Sequence, residues 1–261
     1  MRICVAQLRA SSGDIEGNVR KHLALLDLAL SCDAQMVFFP ELSLTGYETK
    51  MAKQLATNED DPRLNTFQTL ADSRSLYIAV GIPTIAGADT RISMIVFQPG
   101  RARVIYSKQQ LHADEAPYFV CGDQQIVLGA AGHSIAPAIC YESLQDSHAE
   151  RAAELGADIY LASVAKSAGG VNKAFAHYPA VARRHAMTVL MANCVGPCDD
   201  FVAVGQSAVW SSSGTLLTKL DSEHEGIALF DTVSREATVH YLAEQGIAGA
   251  VVPDAAAMRD E

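Results

Sequence analysis

The sequence predicts an α/β protein of the mixed, two-sheet or doubly wound kind. Three observations predict it. Strand-like and helix-like segments alternate along the whole chain, with no linker, low-complexity stretch or composition break between them. The 261 residues are 49% hydrophobic, which supports a sizeable core and one domain over residues 1–261. Apolar runs such as Gln35 to Phe39 are too short for anything but buried strands.

The elements follow in order. Ile3 to Leu8 alternates and carries β-branched residues, so it reads as a strand, and SSGDIEGN supplies turn chemistry after it. Asn18 is placed to cap a helix through Leu30, with Leu23, Leu26, Ala29 and Leu30 at helical spacing. After the strand Gln35 to Phe39, LSLTGYE reads as a polar loop. Pro62 to Ser73 predicts a helix started by Asp60 or Asp61, and Leu76 to Ile82 a strand closed by Pro83. Ile92 to Gln98 and Ala102 to Tyr106 alternate and are joined at PGR, a hairpin signal. The irregular stretch QQLHADEAPYFVCGD follows Lys108. An apolar run from His133 stops at Cys140, and a helix is predicted from Asp146 to Leu155. Asp158 to Leu161 is a short buried strand, Asn172 to His185 a helix containing Pro179, and Thr188 to Ala192 another strand. Gln206 to Trp210 and Glu225 to Phe230 read as strands separated by the SSSGTLL turn, with Ala237 to Leu242 the last strand. From about residue 245 the tail carries no clear period, and it is expected to pack at an oligomer interface or to fray.

Cys140 is a candidate nucleophile. A strand that ends in cysteine before a turn and a helix is one geometry that lifts a thiol to the sheet edge beside unpaired backbone N–H groups. The alternative is a buried structural thiol, the commoner fate of free cysteine. Glu41 directly follows MVFFP, where leaving a hydrophobic sheet partly desolvates an acid and suits it to act as a general base; the alternative is an ordinary surface carboxylate. Lys108 closes a strand too, as a solvated edge charge or as a cation for a site. Glu115 is by default a surface acid. What links Glu41, Lys108 and Cys140 is that each ends an apolar strand, and groups at the same end of neighbouring strands converge on one pocket. Chemically they form a base, a cation for a thiolate or oxyanion, and a nucleophile.

A formal net charge of −10 argues against a nucleic acid or an anionic membrane surface as partner and favours small molecules. Six cysteines lack the spacing of a secreted disulfide scaffold. The start MRICVAQLRASSGD is too short and polar for a signal peptide, and no apolar stretch approaches the roughly 20 residues of a membrane span. A cytoplasmic protein with reduced thiols is therefore expected. Cys194 and Cys198 have CxxxC spacing without a partner pair, so packing thiols are expected there and no metal. GxGxxG, Walker and GxSxG motifs are absent from the sequence.

The chain resembles the nitrilase superfamily of carbon–nitrogen hydrolases. Five strings carry the resemblance in family order: FFPEL around Glu41, YSKQQL around Lys108, AICYE around Cys140, MANCVG around Asn193 and GQSAVWSSSGTLL near Trp210. The resemblance implies a four-layer α-β-β-α sandwich with catalytic Glu41, Lys108 and Cys140. Glu115 in LHADEAPYF looks like the second glutamate of many members, which positions the lysine and the substrate. It further implies homodimers formed through outer helices, no metal or organic cofactor, and a thioester route. In that route Glu41 takes the thiol proton, while Lys108 and the N–H of Tyr141 hold the oxyanion. Two segments depart from the family pattern. YPAVARRHAMT carries Arg183, Arg184 and His185 where many members have Arg-Ala-x-Glu, and SVAKSAGG offers Ser163 and Lys166 where an Asn or Trp is common.

The function these readings favour is an amidase acting on a small carboxamide, including ω-amides. Hydrolysis of N-carbamoyl compounds or nitriles is the alternative within the same chemistry. LHADEAPYF weakly resembles glutamine-amide hydrolysing branches, and with no synthetase domain following, ammonia is expected to be released or passed to a separate protein. From another class, a non-catalytic binding protein with Cys140 as a redox-sensitive thiol stays open. A Cys-His peptidase, with His148 or His177 as base, has no orienting Asn in their surroundings. Substrate-binding residues are unassigned; Tyr47, Tyr118, Phe119, Ser163, Lys166 and Cys194 are candidates to face a pocket. Lys166, Arg183 and Arg184 either recognise a substrate carboxylate or are solvated.

Overall fold

The structure, a computed structural model, describes residues 1–243. The tail from about residue 245 lies outside the described residues, and so does its assignment to an interface. In chain order the elements are β1 (Arg2–Gln7), α1 (Ile15–Ser31), β2 (Met36–Phe38), α2 (Ala52–Leu55), α3 (Asn65–Arg74), β3 (Tyr77–Ala86), β4 (Asp89–Phe97), β5 (Val104–Ser107), β6 (Leu128–Ala130), β7 (His133–Ile139), α4 (Asp146–Glu154), β8 (Ile159–Val164), α5 (Ala168–His185), β9 (Thr188–Asn193), β10 (Val195–Cys198), β11 (Phe201–Val204), β12 (Ala208–Trp210), β13 (Leu216–Lys219), β14 (Gly226–Asp231) and β15 (Ala237–Tyr241).

Two mixed sheets form from them, ordered β15-β14-β1-β2-β3-β4-β5 and β13-β12-β9-β8-β7-β6. Each has three parallel strands at its centre, β1-β2-β3 and β7-β8-β9, flanked by antiparallel neighbours. Strand periodicity sorts side chains into layers. Ile3 and Val5 of β1 join Ile159, Leu161, Leu190 and Val209 between the sheets. Cys4 and Ala6 point the other way, onto Leu25, Leu26 and Ala29 of α1 and Phe67 and Ala71 of α3. Ala136, Tyr160, Ala162 and Met191 face Ala149, Ala152, Tyr178 and Val181 of α4 and α5. The result is the four-layer α-β-β-α sandwich that the family resemblance implies.

Four local expectations are corrected. Asp14, not Asn18, caps α1, accepting from the Gly17 N–H. Asn18 is buried one turn inside, where its side chain bonds Ser11 and the Leu44 carbonyl. Pro83 lies within β3, paired with Ile92; the three-residue β2 ends before it, so no neighbouring strand needs the missing N–H. The segment LSLTGYE is a loop but is buried, including Ser43 and Thr45. The hairpin β10–β11 and the strand β13 carry too little alternation to read as strands from sequence.

Candidate active site

Glu41 and Lys108 leave the first sheet at the same end. Lys108 follows β5 and Glu41 lies just beyond β2, and two antiparallel steps, β3–β4 and β4–β5, bring β5 back to the direction of β2. Cys140 follows β7 in the second sheet. Convergence therefore happens across the gap between the sheets, not along one sheet edge as neighbouring strands would give. Ser163 of β8 ties that gap, donating to the Phe39 carbonyl at 2.8 Å.

The Glu41 turn is held from behind. Its backbone lies so close to Gly81 that a Cβ there would sit 2.4 Å from the Leu42 nitrogen and the Pro40 oxygen. Ser43 accepts from the Gly81 N–H and bonds His22 Nε2 at 2.9 Å. Burial keeps His22 neutral, its pKa lowered to about 3.

Lys108 is fully buried and bridges two carboxylates, donating to Glu41 Oε1 at 2.7 Å and to Glu115 Oε1 at 2.6 Å. Glu115 is not a surface acid: it is 1% exposed and also accepts from the Tyr47 hydroxyl and the His112 N–H. Nor is Lys108 a solvated edge charge. Burial disfavours its ammonium form, but Glu41, Cys140 and Glu115 outweigh this and raise its pKa above the usual lysine value. An ammonium has three N–H bonds, so two carboxylates leave one uncommitted. Burial, with Glu115 adding to it, raises the Glu41 pKa against the pull of Lys108. Glu41 Oε2 is buried without a hydrogen-bond partner, and the Cys140 thiol is close enough to act on this carboxylate electrostatically.

Cys140 opens a short 3-10 turn over residues Cys140–Leu144 and holds φ at +48°, a left-handed backbone that costs energy for a residue with a Cβ. Glu142 stabilises this bend: its carboxylate accepts from the Ile139 N–H, the Tyr106 hydroxyl and the Gln109 N–H at 2.6–2.7 Å, joining the Cys140 turn to the segment after Lys108. Sequence reading missed Glu142, although AICYE contains it. Tyr141 occupies the first turn, where N–H groups lack an intrahelical acceptor. Burial and Glu41 push the Cys140 thiol up to about 11, while Lys166 and then Lys108 pull it down.

Above Cys140 opens a cavity of about 550 Å³. Tyr47, Glu115, Tyr141 and Lys166 line it, whereas Glu41 and Lys108 lie behind Cys140, out of solvent. Of the other pocket candidates, Tyr118 is exposed outside the cavity lining, Phe119 is in the core and Ser163 serves the inter-sheet bond. Cys194 is buried with its sulfur 3.5 Å from that of Cys198, and the described cysteines are free thiols. Lys166 is 5% exposed and so is not a solvated charge. Arg184 instead pairs with Asp146 at the surface. The described residues hold no group of three or more His, Cys, Asp and Glu side chains placed for a metal, and no helix long and apolar enough to cross a membrane.

His148 lies in the Tyr106, Tyr160 and Glu142 network, away from the sulfur. His177 lines the cavity but is oriented by Asp146 at 3.9 Å. Neither makes a printed bond to the thiol that a Cys-His pair requires.

Comparison with known proteins gives a consistent picture. The family model for carbon–nitrogen hydrolases matches residues 2–239. A curated relative, the glutamine-dependent NAD(+) synthetase of Aquifex aeolicus (strain VF5), is 28% identical over 236 residues, covering 87% of this chain and 41% of its own length. The chain thus spans about two fifths of that relative. The NitN amidase of Neterenkonia sp. AN1 superposes with a TM-score of 0.82 at 25% identity, over 88% of this chain and 92% of that one. A variant of the Nesterenkonia sp. AN1 amidase, carrying the acetamide moiety of fluoroacetamide covalently on its active-site cysteine, gives 0.81 at 25% identity, over 88% and 89%.

Proposed function

We propose that this chain, which belongs to the carbon–nitrogen hydrolase family, is an amidase that converts a small carboxamide, ω-amides included, to carboxylate and ammonia. One observation carries the reading: a buried lysine shared by Glu41 and Glu115 lies beside a cysteine that opens onto a cavity of small-molecule size. Cys140 is the nucleophile, Glu41 the base, Lys108 the cation, and Glu115 and Tyr141 support them.

In the proposed reaction the Cys140 proton passes to Glu41 Oε2 as sulfur adds to the amide carbon. The carbonyl π pair becomes an oxyanion, held by the free N–H of Lys108 and the N–H of Tyr141. The oxyanion collapses, the C–N bond breaks, and nitrogen leaves as ammonia with the proton from Glu41. Water then adds to the thioester, giving its proton to Glu41, and the C–S bond breaks to release carboxylate and reprotonated Cys140. The sum is amide plus water to carboxylate plus ammonia. Glu115 acts as a positioning residue, with Tyr47 holding it. We further propose one catalytic unit working as a cytoplasmic homodimer; the family resemblance and the free thiols support this part.

The test is ammonia release from glutamine and other ω-amides, aliphatic amides, N-carbamoyl amino acids and nitriles, beside Cys140→Ala. Release that Cys140→Ala abolishes, together with an acylated Cys140 in the mass spectrum, supports the hydrolase. The preferred panel member separates amide from carbamoyl or nitrile chemistry. Silence across the panel favours the binding or redox-sensing alternative.

A further inference from the structure

The proposed reaction uses one lysine, yet a second lies at the same sulfur. Lys166 Nζ is 3.8 Å from Cys140 Sγ. Lys166 is 95% buried by its 5% exposure, it lines the cavity, and no ion pair among the described residues includes it. A buried ammonium without a carboxylate is costly, so the fold must hold it deliberately. It does so in two ways. The Asn193 side chain accepts from the Lys166 N–H at 2.8 Å and donates to its carbonyl at 3.2 Å, fixing the backbone. Gly170 leaves room for the stem, since a Cβ there would lie 3.1 Å from Lys166 Cβ and 3.3 Å from its Cγ.

The adjoining wall has the same sign. The 18-residue helix α5 begins at Ala168 with no acidic residue in its first turn, and the Ser167 side chain makes no capping bond. Ser167 and Gly170 both line the cavity, so the positive end of the helix faces it without a neutralising group from the helix itself. Lys173, at helical spacing from Gly170, extends this wall toward the mouth. Behind the sulfur, Glu41 and Glu115 share the single charge of Lys108. An anionic substrate would be repelled by that surplus unless a cation on the cavity side balanced it, and Lys166 occupies that side.

We infer that Lys166 and the first turn of α5 bind an anionic group on the substrate, so that the preferred substrate is the half-amide of a short dicarboxylic acid. The inference rests on the amidase reading and names its substrate class. Lys166 is then a specificity-determining residue, because it meets the carboxylate and not the scissile bond.

The experiment compares iodoacetate with iodoacetamide as alkylating agents for Cys140, followed by peptide mass mapping. In both, the C–S bond forms as iodide leaves, and the two differ only in carboxylate against carboxamide. The exposed Cys121 of the same chain is the internal reference. The iodoacetate-to-iodoacetamide rate ratio at Cys140 is expected to exceed that at Cys121 by about tenfold, the effect of one modest charge contact. Lys166→Met should bring it down to the Cys121 ratio and Lys166→Arg should keep it. Equal slowing of both reagents in Lys166→Met, with an unchanged ratio, overturns the inference and leaves Lys166 acting on the thiolate alone. Should Lys166→Met not fold, the unmodified chain decides: succinate is expected to protect Cys140 from iodoacetamide and 1,4-butanediol is not. Absence of succinate protection overturns the inference too. Neither measurement needs turnover, so an amide panel without activity would remove the amidase reading separately.

Discussion

The Ser163 hydroxyl donates a 2.8 Å hydrogen bond to the carbonyl of Phe39, two residues before Glu41. This bond runs from the sheet that carries Cys140 to the sheet that carries Glu41, so it sets the spacing between proposed base and nucleophile. Ser163→Ala leaves a buried carbonyl unpaired, at a cost of about 1–3 kcal/mol. The expected result is a urea midpoint lowered by that amount and a fall in kcat of about tenfold or more, with KM nearly unchanged. A kcat equal to that of the parent would show that the bond stabilises the fold without positioning the base.

Gly81 fixes the same turn by contact. An alanine Cβ would sit 2.4 Å from two backbone atoms beside Glu41, and backbone cannot yield as a flexible side chain does. Gly81→Ala should destabilise by about 1–3 kcal/mol and shift Glu41 away from Lys108. Thermal unfolding together with the rate of Cys140 acylation checks it, and both should drop.

The resting state of Cys140 has a visible pH signature. Burial and Glu41 raise the thiol to about 11, so it is protonated at neutral pH and is deprotonated by Glu41 only as it attacks. Alkylation of Cys140 by iodoacetamide in the free protein should therefore keep climbing above pH 9. A plateau reached below pH 9 would mean that a preformed thiolate is present.

His22 predicts acid sensitivity. Its pKa is lowered from 6.5 to about 3 by burial, so the folded state binds fewer protons than the unfolded chain between these values. Stability is then complete above about pH 6.5 and falls as the pH drops toward 3, by on the order of 5 kcal/mol from this group. Urea unfolding of the parent and of His22→Gln at several pH values measures it: the variant, less stable near neutrality, should lose less on acidification.

How much of this was legible in the sequence follows from the range of each interaction. Alternation within β1, β7, β8 and β9 is a local property, and it marked the strands and the common strand-end position of Glu41, Lys108 and Cys140. Glu115 is seven residues from Lys108, in a stretch without period, and its burial depends on Tyr47, far away in the chain. Only the family resemblance pointed to it. Glu142 looked like any helix-start acid because its partners Tyr106 and Gln109 precede it by more than thirty residues. Lys166 read as solvated for the same reason: the features that bury it, Asn193 and the α5 start, come from elements whose packing no local pattern records. Helix α5 itself was expected four residues late, since the paired glycines at 169 and 170 look like a loop, whereas here one of them makes room for a lysine.

The alternation of the central strands also limits how this chain can change length. Ile3 and Val5 face one core while Cys4 and Ala6 face another, and β7, β8 and β9 divide their side chains the same way. Inserting or deleting one residue inside any of these strands would exchange the two sets downstream, presenting helix-facing alanines to the inter-sheet space and larger side chains to the helices. Tolerated insertions and deletions therefore belong in the connections, and the strand-end residues Glu41, Lys108 and Cys140 keep their relative heights whatever the loops around the cavity do.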